Sequence, residues 1–245
     1  MEGDYNRTVS KTFLWIEDRE GKASYLFWNS LLEQLCPDVE VVGKKNNSEL
    51  VKAVRNLDDT ESRYVIVFDN SFDNLQLAKE KKLLKQCADK KANVVLMDII
   101  CFEYILLQFE NLIDWIYAPD DEFLKKRAGA VSAREKLIHS IESEAINYKD
   151  IKEIVAYDAH IGENNIEQLS AKLLFDLTRN TGFEVSKGKI GECWIKSCCE
   201  WLDRQEDDIC GLDNSRLSIH DKMKNIFEGT CLKEQFHTVG LEAAL

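Results

Sequence analysis

Short apolar runs alternate with amphipathic stretches along the first hundred residues. Four runs rich in strand-forming residues each end on a carboxylate or a glycine; they are residues 12–17, 38–43, 63–69 and 92–98. Between them apolar residues recur every three or four positions, which predicts helices over residues 22–35, 47–57 and 74–91. This alternation indicates an α/β fold in which a parallel, or mostly parallel, sheet is flanked by helices.

The pattern changes after residue 100. Residues 101–118 are largely apolar and are predicted to be helical, and the remaining chain is predicted to be mainly helical as well. One of these later helices is predicted over residues 193–205. We therefore predict an α/β domain over residues 1–118, followed by a helical, cysteine-rich C-terminal region over residues 119–245.

The chain of 245 residues is acidic, with a net charge of −12. This charge argues against non-specific nucleic-acid binding by the whole surface, because phosphate contacts depend on lysine and arginine. A local exception is the predicted helix over residues 74–91, whose lysines are Lys79, Lys81, Lys82, Lys85, Lys90 and Lys91. This segment is either a solvated helix face or a track for nucleic acid.

The cysteine content and the lengths of the apolar segments indicate in which cellular compartment the protein is expected. The N-terminal residues are polar and no apolar run reaches 18 residues, so we expect a cytoplasmic protein with reduced thiols and no membrane association. Four cysteines cluster near the C-terminus, at Cys193, Cys198, Cys199 and Cys210. Their spacing differs from the paired knuckles of zinc sites, so packing as small apolar residues is favoured over structural Zn²⁺.

Three carboxylates follow the predicted strands: Glu17, Asp69 and Asp73. The carboxyl ends of parallel strands meet at one edge of a sheet, where α/β proteins place their ligands. Carboxylates there suit a hard cation such as Mg²⁺, which prefers oxygen ligands. The alternative is local structure, because an aspartate after a strand often caps the next helix or forms a turn. That alternative is strongest for Asp73, which directly precedes a predicted helix.

Several segments resemble a TOPRIM domain, in particular the TOPRIM effectors of PARIS-type phage-defence loci. They are FLWIEDREGKASYLFWNSLL, VVGKKNNSELVKAV, YVIVFDNSFDN and VVLMDIICFEYILLQFENLIDW. The resemblance covers roughly residues 12–115, with the motifs in the family's order. It implies a TOPRIM-like, mostly parallel sheet flanked by helices.

The resemblance assigns roles to particular residues. Glu17 matches the glutamate after the first strand, which is a metal ligand or general acid/base in TOPRIM enzymes. Asp69 matches the first aspartate of the Asp-x-Asp motif, and Asp73 matches a frequent third acid nearby. Glu103 matches the glutamate of the next helix, and its apolar surroundings predict burial beside a partner or a metal. The chain departs from the pattern at Ser71, where the second aspartate is expected, and no glycine directly follows Glu17.

The implied activity is that of an endonuclease dependent on Mg²⁺ or Mn²⁺. It would cleave phosphodiester bonds in RNA, with tRNA as a candidate substrate, or in DNA, and would act as an anti-phage defence effector. The catalytic and metal-binding set would be Glu17, Asp69 and Asp73, with Glu103 as a further ligand. Basic residues near strand ends are either phosphate contacts or solvated surface lysines; they are Lys22, Lys44 and Lys45.

Other functions remain open on the sequence. Ser71 favours a catalytically degenerate TOPRIM-like module that binds a partner protein or nucleic acid without cutting it. A phosphotransfer receiver-like domain also ends a strand on an aspartate, but the early Glu17 and the long helical tail argue against it. The predicted partners are nucleic acid, an ATPase sensor protein of the same defence system, and a second copy of the chain.

Overall fold

Four parallel strands form the central sheet of the computed structural model, which describes residues 11–145, 166–186, 188–199, 210–212 and 215–244. The strands are β1 (Thr12–Ile16), β2 (Val39–Gly43), β3 (Arg63–Asp69) and β4 (Val94–Ile99). Their order in the sheet is β2-β1-β3-β4, and every pairing is parallel. The predicted parallel sheet is therefore confirmed, and β1 and β3 are its two central strands.

Helices cover both faces of the sheet, as predicted. The first three are α1 (Ala23–Leu35), α2 (Asn47–Arg55) and α3 (Leu75–Ala88). Alternate residues of the strands enter two separate cores, because successive side chains of a strand point to opposite faces. Val65 and Val67 pack with α1 in the larger core, whereas Ile66 and Phe68 pack with α2 and α3 in the smaller one.

Two asparagines set the starts of the helices on the second face. The side chain of Asn46 accepts a hydrogen bond from the backbone N–H of Glu49, which caps α2. The side chain of Asn74 accepts from the N–H groups of Gln76 and Leu77, which caps α3. Such caps satisfy backbone donors that have no partner within the helix.

Among the described residues, the chain that follows β4 is mainly helical, as predicted, but it also contains a short antiparallel hairpin. Its elements are α4 (Phe102–Gln108), α5 (Leu112–Ile116), α6 (Glu122–Lys126), α7 (Ala128–Glu142), α8 (Ile166–Thr178), β5 (Val185–Ser186), β6 (Lys189–Ile190), α9 (Glu192–Ile195), α10 (Ile219–Glu228) and α11 (Leu232–Thr238). The helical segment 101–118 is divided into α4 and α5. The helix predicted from residue 193 is wrong beyond Ile195, where residues 196–199 are not helical. Residues 200–205 of that prediction lie outside the described residues.

The larger core continues from the sheet into the C-terminal region. It contains strand residues such as Leu14 and Val67 together with Leu173 of α8 and Met223 of α10. Arg134 of α7 is buried, and its guanidinium donates to the carbonyl oxygens at the end of α4. The boundary near residue 118 stays a prediction, and apolar packing crosses it. Within the described ranges, no helix is both long enough and apolar enough to span a membrane.

Gly43, at the end of β2, allows the loop after β1 to pass very close. A Cβ atom at this position would overlap the carbonyl oxygen of Asp18. Gly43 does not have a positive φ, so the requirement is for space rather than for backbone freedom. The loop that carries Glu17 and Asp18 can therefore lie against the sheet only if residue 43 has no side chain.

We expect Gly43→Ala to lower the free energy of unfolding by roughly 1–3 kcal/mol, the usual range for overpacking. Urea unfolding of the full chain would measure this change. Gly129→Ala is the matched control, because a Cβ there meets no atom within 4 Å and the residue lies in α7. Alanine should stabilise that helix by up to about 1 kcal/mol. Equal changes in the free energy of unfolding for Gly43→Ala and Gly129→Ala would contradict the close approach of the Asp18 carbonyl to Gly43.

Candidate acidic site at the carboxyl edge of the sheet

A cavity of about 640 Å³ lies at the carboxyl edge of the sheet, on the face covered by α1. The ends of β1, β3 and β4 form its floor, and α1, α4, α8 and the β5–β6 hairpin contribute its walls. The chain leaves β1 for β2 on one side, while β3 lies on the other side of β1. The cavity therefore sits at the switch point of the sheet, where open α/β sheets bind their ligands.

The pairing of β1 with β3 brings two of the predicted site residues into contact. Glu17 directly follows β1, and Asp69 is the last residue of β3. Both line the cavity, and their carboxyl groups are hydrogen-bonded to each other. A hydrogen bond between two carboxyl groups requires one of them to carry a proton, since an ionised carboxylate can only accept.

Burial and mutual repulsion explain why this proton is retained. The pKa of Glu17 is raised from 4.5 to about 7, mainly by burial and in addition by the charges of Glu167 and Asp18. Burial also raises the pKa of Asp69 well above its ordinary value, with further contributions from Glu17 and Glu103. The hydrogen bond favours the ionised form of Glu17 and the protonated form of Asp69. The pKa values of both groups are therefore raised, and the pair retains a proton more strongly than two separate carboxylates would.

Glu103 is the third predicted acid in the cavity. It lies in the first turn of α4, directly after the end of β4, and burial raises its pKa to about 7. The nearby charges of Glu167 and Asp18 act in the same direction. The thiol of Cys101 is hydrogen-bonded to its side chain and partly offsets these effects. Glu103 is half-buried, with the Cys101 thiol as a partner, and its role as a metal ligand stays a prediction.

Glu167, in the first turn of α8, lines the same cavity and was missed from the sequence. Its charge raises the pKa values of Glu17, Asp69 and Glu103, which places it near all three carboxyl groups. Acidic residues are common in the first turn of a helix, because the helix dipole favours them there. The sequence around Glu167 therefore gives no sign that it faces a strand end about a hundred residues earlier in the chain.

Asp73 does not lie among the residues that line the cavity. One of its oxygens accepts a hydrogen bond from the Ser71 hydroxyl at 2.9 Å, and the other accepts from the backbone N–H of Ile166 at 2.9 Å. The alternative that Asp73 caps the helix following it is wrong, because Asn74 caps α3. Asp73 instead binds the beginning of α8, a contact between residues far apart in the chain.

The three predicted phosphate-binding lysines occupy different surroundings. Lys22, the residue before α1, lines the cavity, and its Nζ lies next to Gly188 of the hairpin. Lys44 and Lys45 are not among the lining residues. The Nζ of Lys44 lies 3.6 Å from the ring centroid of Trp15, and Trp15 belongs to the smaller core on the other face of the sheet. Partial burial lowers the pKa of Lys44. The lysine-rich helix α3 also packs on that other face.

The four C-terminal cysteines are free thiols with unequal exposure. Cys193, Cys198 and Cys210 pack against the larger core, while Cys199 is exposed. Burial raises the pKa of Cys193 to about 11, which keeps it a thiol at neutral pH. In the described part of the chain, no three or more His, Cys, Asp and Glu side chains are already spaced as ligands of one metal ion.

The carboxyl groups of the acidic cavity are likewise not yet spaced as ligands of one metal ion. The donor set of Glu17, Asp69 and Glu103 consists of carboxyl oxygens, which is the chemistry that Mg²⁺ and Mn²⁺ prefer. Glu17 and Asp69 interact directly with each other, and burial raises the pKa of both. The residues therefore fit a hard divalent cation by chemistry, and binding it would require both carboxyl groups to be ionised and their side chains to rotate.

No family model, curated protein or solved structure matches this chain. The TOPRIM resemblance therefore rests only on the short sequence motifs around Glu17, Asp69 and Glu103. The cavity, its lining residues and the interactions of Glu17 are features of this chain's structure, and they do not depend on the resemblance.

We expect Glu103→Gln to stabilise the cation-free protein in a pH-dependent way. The folded protein holds a proton on Glu103 up to a pKa of about 7, whereas the ordinary value is 4.5. Since the folded state binds more protons in this window, wild-type stability falls as the pH rises through it. The variant should match the wild type below about pH 4.5 and exceed it by about 3 kcal/mol near pH 7.5.

Urea unfolding in EDTA across this pH range would measure the difference. Glu110→Gln is the control, because Glu110 is an exposed glutamate a few residues further along the chain. Its difference from the wild type should stay small at every pH. A stability difference for Glu103→Gln that is constant with pH would contradict a proton held at this position.

Proposed function

We propose that this protein is a TOPRIM-like endonuclease that depends on Mg²⁺ or Mn²⁺. The observation that carries the proposal is the convergence of Glu17, Asp69 and Glu103 in one cavity at the carboxyl edge of a parallel sheet. The sequence resemblance names the same three residues. The all-parallel sheet with helices on both faces agrees with the architecture that the resemblance implies.

Electrostatics supports a cation as the partner of these carboxylates. Several buried acids with raised pKa values are unfavourable without a positive charge, and such clusters are typical of functional sites. Glu17, Asp69 and Glu103 would hold the ion, in place of the proton that Glu17 and Asp69 now share. A bound Mg²⁺ would supply the charge that binds a phosphate and promotes its hydrolysis.

The chain's own residues would bind and orient the substrate. Lys22 at the cavity is placed to pair with a phosphate oxygen, and Lys is a common phosphate-binding residue. Asp18 accepts a hydrogen bond from the Ser24 hydroxyl at 2.7 Å, which fixes the loop next to Glu17.

The substrate and the biological setting follow from the resemblance alone. They are RNA, with tRNA as a candidate, or DNA, and an anti-phage defence system in which an ATPase sensor controls the effector. A second copy of the chain is a further proposed partner. Contact with nucleic acid would be local, because the chain as a whole is strongly acidic.

A second candidate function is that of a degenerate module that binds nucleic acid or a protein without cutting. The observation that favours it is the position of Asp73 outside the cavity, which leaves the acid expected at Ser71 without a direct replacement in the β3–α3 loop. Glu167 argues in the other direction, since it brings a further carboxylate to the cavity from α8.

A cleavage assay separates the two candidates. Purified full chain is incubated with end-labelled tRNA, single-stranded DNA and duplex DNA, in Mg²⁺, in Mn²⁺ and in EDTA. We expect metal-dependent cleavage that falls about a hundredfold or more in Glu17→Gln and in Asp69→Asn. Asp98→Asn is the control, because Asp98 is an exposed carboxylate of β4 that pairs with Lys81 outside the cavity.

Cleavage that persists in both site variants would assign the activity to another part of the chain or to a contaminant. Metal-independent binding of a substrate without cleavage, in the presence of a cognate ATPase, would favour the degenerate module. Failure to cleave any of the three substrates under that condition would count against the nuclease.

A further inference from the structure

A chain of two hydrogen bonds connects the β3–α3 loop to the beginning of α8. Ser71 is buried, with 2% of its surface exposed, and its hydroxyl donates to one oxygen of Asp73 at 2.9 Å. The other oxygen of Asp73 accepts the backbone N–H of Ile166 at 2.9 Å. Ser71 thus orients the carboxylate, and the carboxylate holds the helix.

The held residue is the immediate neighbour of a cavity acid. Ile166 is the first described residue of α8, and Glu167 follows it and lines the cavity. A hydrogen bond to an ionised carboxylate is stronger than one to a neutral acceptor, and a negative charge is favourable near the positive end of the helix dipole. Fixing the backbone at Ile166 therefore fixes where the next side chain can point.

We propose that Asp73 is a positioning residue that anchors α8 and thereby keeps Glu167 in the cavity beside Glu17 and Asp69. Glu167 is then a fourth carboxylate for a divalent cation, supplied by the C-terminal region. This inference rests on the proposed function in one respect, namely that the cavity binds such a cation. The anchoring of α8 by Asp73 does not depend on it.

The proposal also accounts for the serine at position 71. Of the acids that the resembled motif places at the end of β3 and in the loop after it, this chain has Asp69 and Asp73. Asp69 lines the cavity, whereas Asp73 does not. A serine at position 71 can donate a hydrogen bond to Asp73, whereas an ionised aspartate there could not. The charge absent from the loop is replaced by Glu167, whose position depends on the hydrogen bonds that Ser71 and Asp73 make.

A merely structural role for Asp73 would be to dock α8, without a specific effect on Glu167. A double-mutant cycle separates the two roles, since residues that act through one another are not additive. The cycle uses Asp73→Ala, Glu167→Gln and the double variant in the full chain. Mn²⁺ affinity, measured by isothermal titration calorimetry at neutral pH, is the readout.

We expect Glu167→Gln and Asp73→Ala each to weaken Mn²⁺ binding by about tenfold, the lower range for groups that orient metal ligands. The double variant should bind no more weakly than Glu167→Gln alone. Asp73→Asn should retain most of the affinity, because its amide oxygen can accept the Ile166 N–H while its NH₂ group donates to Ser71. Asp98→Ala, which removes an acid outside the cavity, should bind like the wild type.

Additive losses in the double variant would overturn the proposal, as would an unchanged affinity in Asp73→Ala. Circular dichroism melting of each variant identifies any that fails to fold. If Asp73→Ala does not fold, Ser71→Ala replaces it in the cycle. Ser71→Ala should weaken binding in the wild-type background and have no effect in the Glu167→Gln background.

Hydrogen exchange distinguishes failure of this inference from failure of the proposed function. If the wild type binds no Mn²⁺, the proposed cation site is wrong. The anchoring of α8 by Asp73 is then tested by amide hydrogen exchange alone. Amides of residues 166–170 should exchange faster in Asp73→Ala than in Asp98→Ala, without any metal present. Equal exchange in the two variants would overturn the anchor.

Discussion

The parallel pairing of β1 with β3 is the constraint on which the acidic cavity depends. Because both strands run to the same edge of the sheet, Glu17 and Asp69 meet there and share a proton. The register matters as much as the direction. Val65, Val67 and Asp69 lie on one face of β3, and a shift of one residue would turn Asp69 towards the core around Trp15. The two cores on either side hold the register in place.

Local patterns were sufficient to predict much of the fold from the sequence. The apolar runs located the four strands, and their alternation with amphipathic segments indicated the parallel sheet. The helix starts predicted at residues 47 and 74 lie within one residue of the caps Asn46 and Asn74, since capping depends on residues close in sequence. The hairpin at residues 185–190 was not predicted, because strands of two residues leave no recognisable period.

For the site, the sequence located the acids at the ends of strands, grouped Asp73 with them, and missed Glu167. Glu17, Asp69 and Glu103 follow β1, β3 and β4, so topology alone gathers them. Asp73 and Glu167 depend on where α8 packs, and that packing is set by the larger core rather than by any local motif. Long-range apolar packing was therefore the information that the sequence patterns lacked.

The shared core also limits how this chain can be divided. The cavity takes part of its wall from α8 and from the β5–β6 hairpin, both of which come late in the chain. A fragment that ended near residue 118 would expose the part of the larger core that α8 and α10 cover, and it would leave the acidic cavity without one of its walls. A shortened chain therefore cannot reproduce the cavity, and its carboxyl groups would titrate in a more solvated setting than in the full chain.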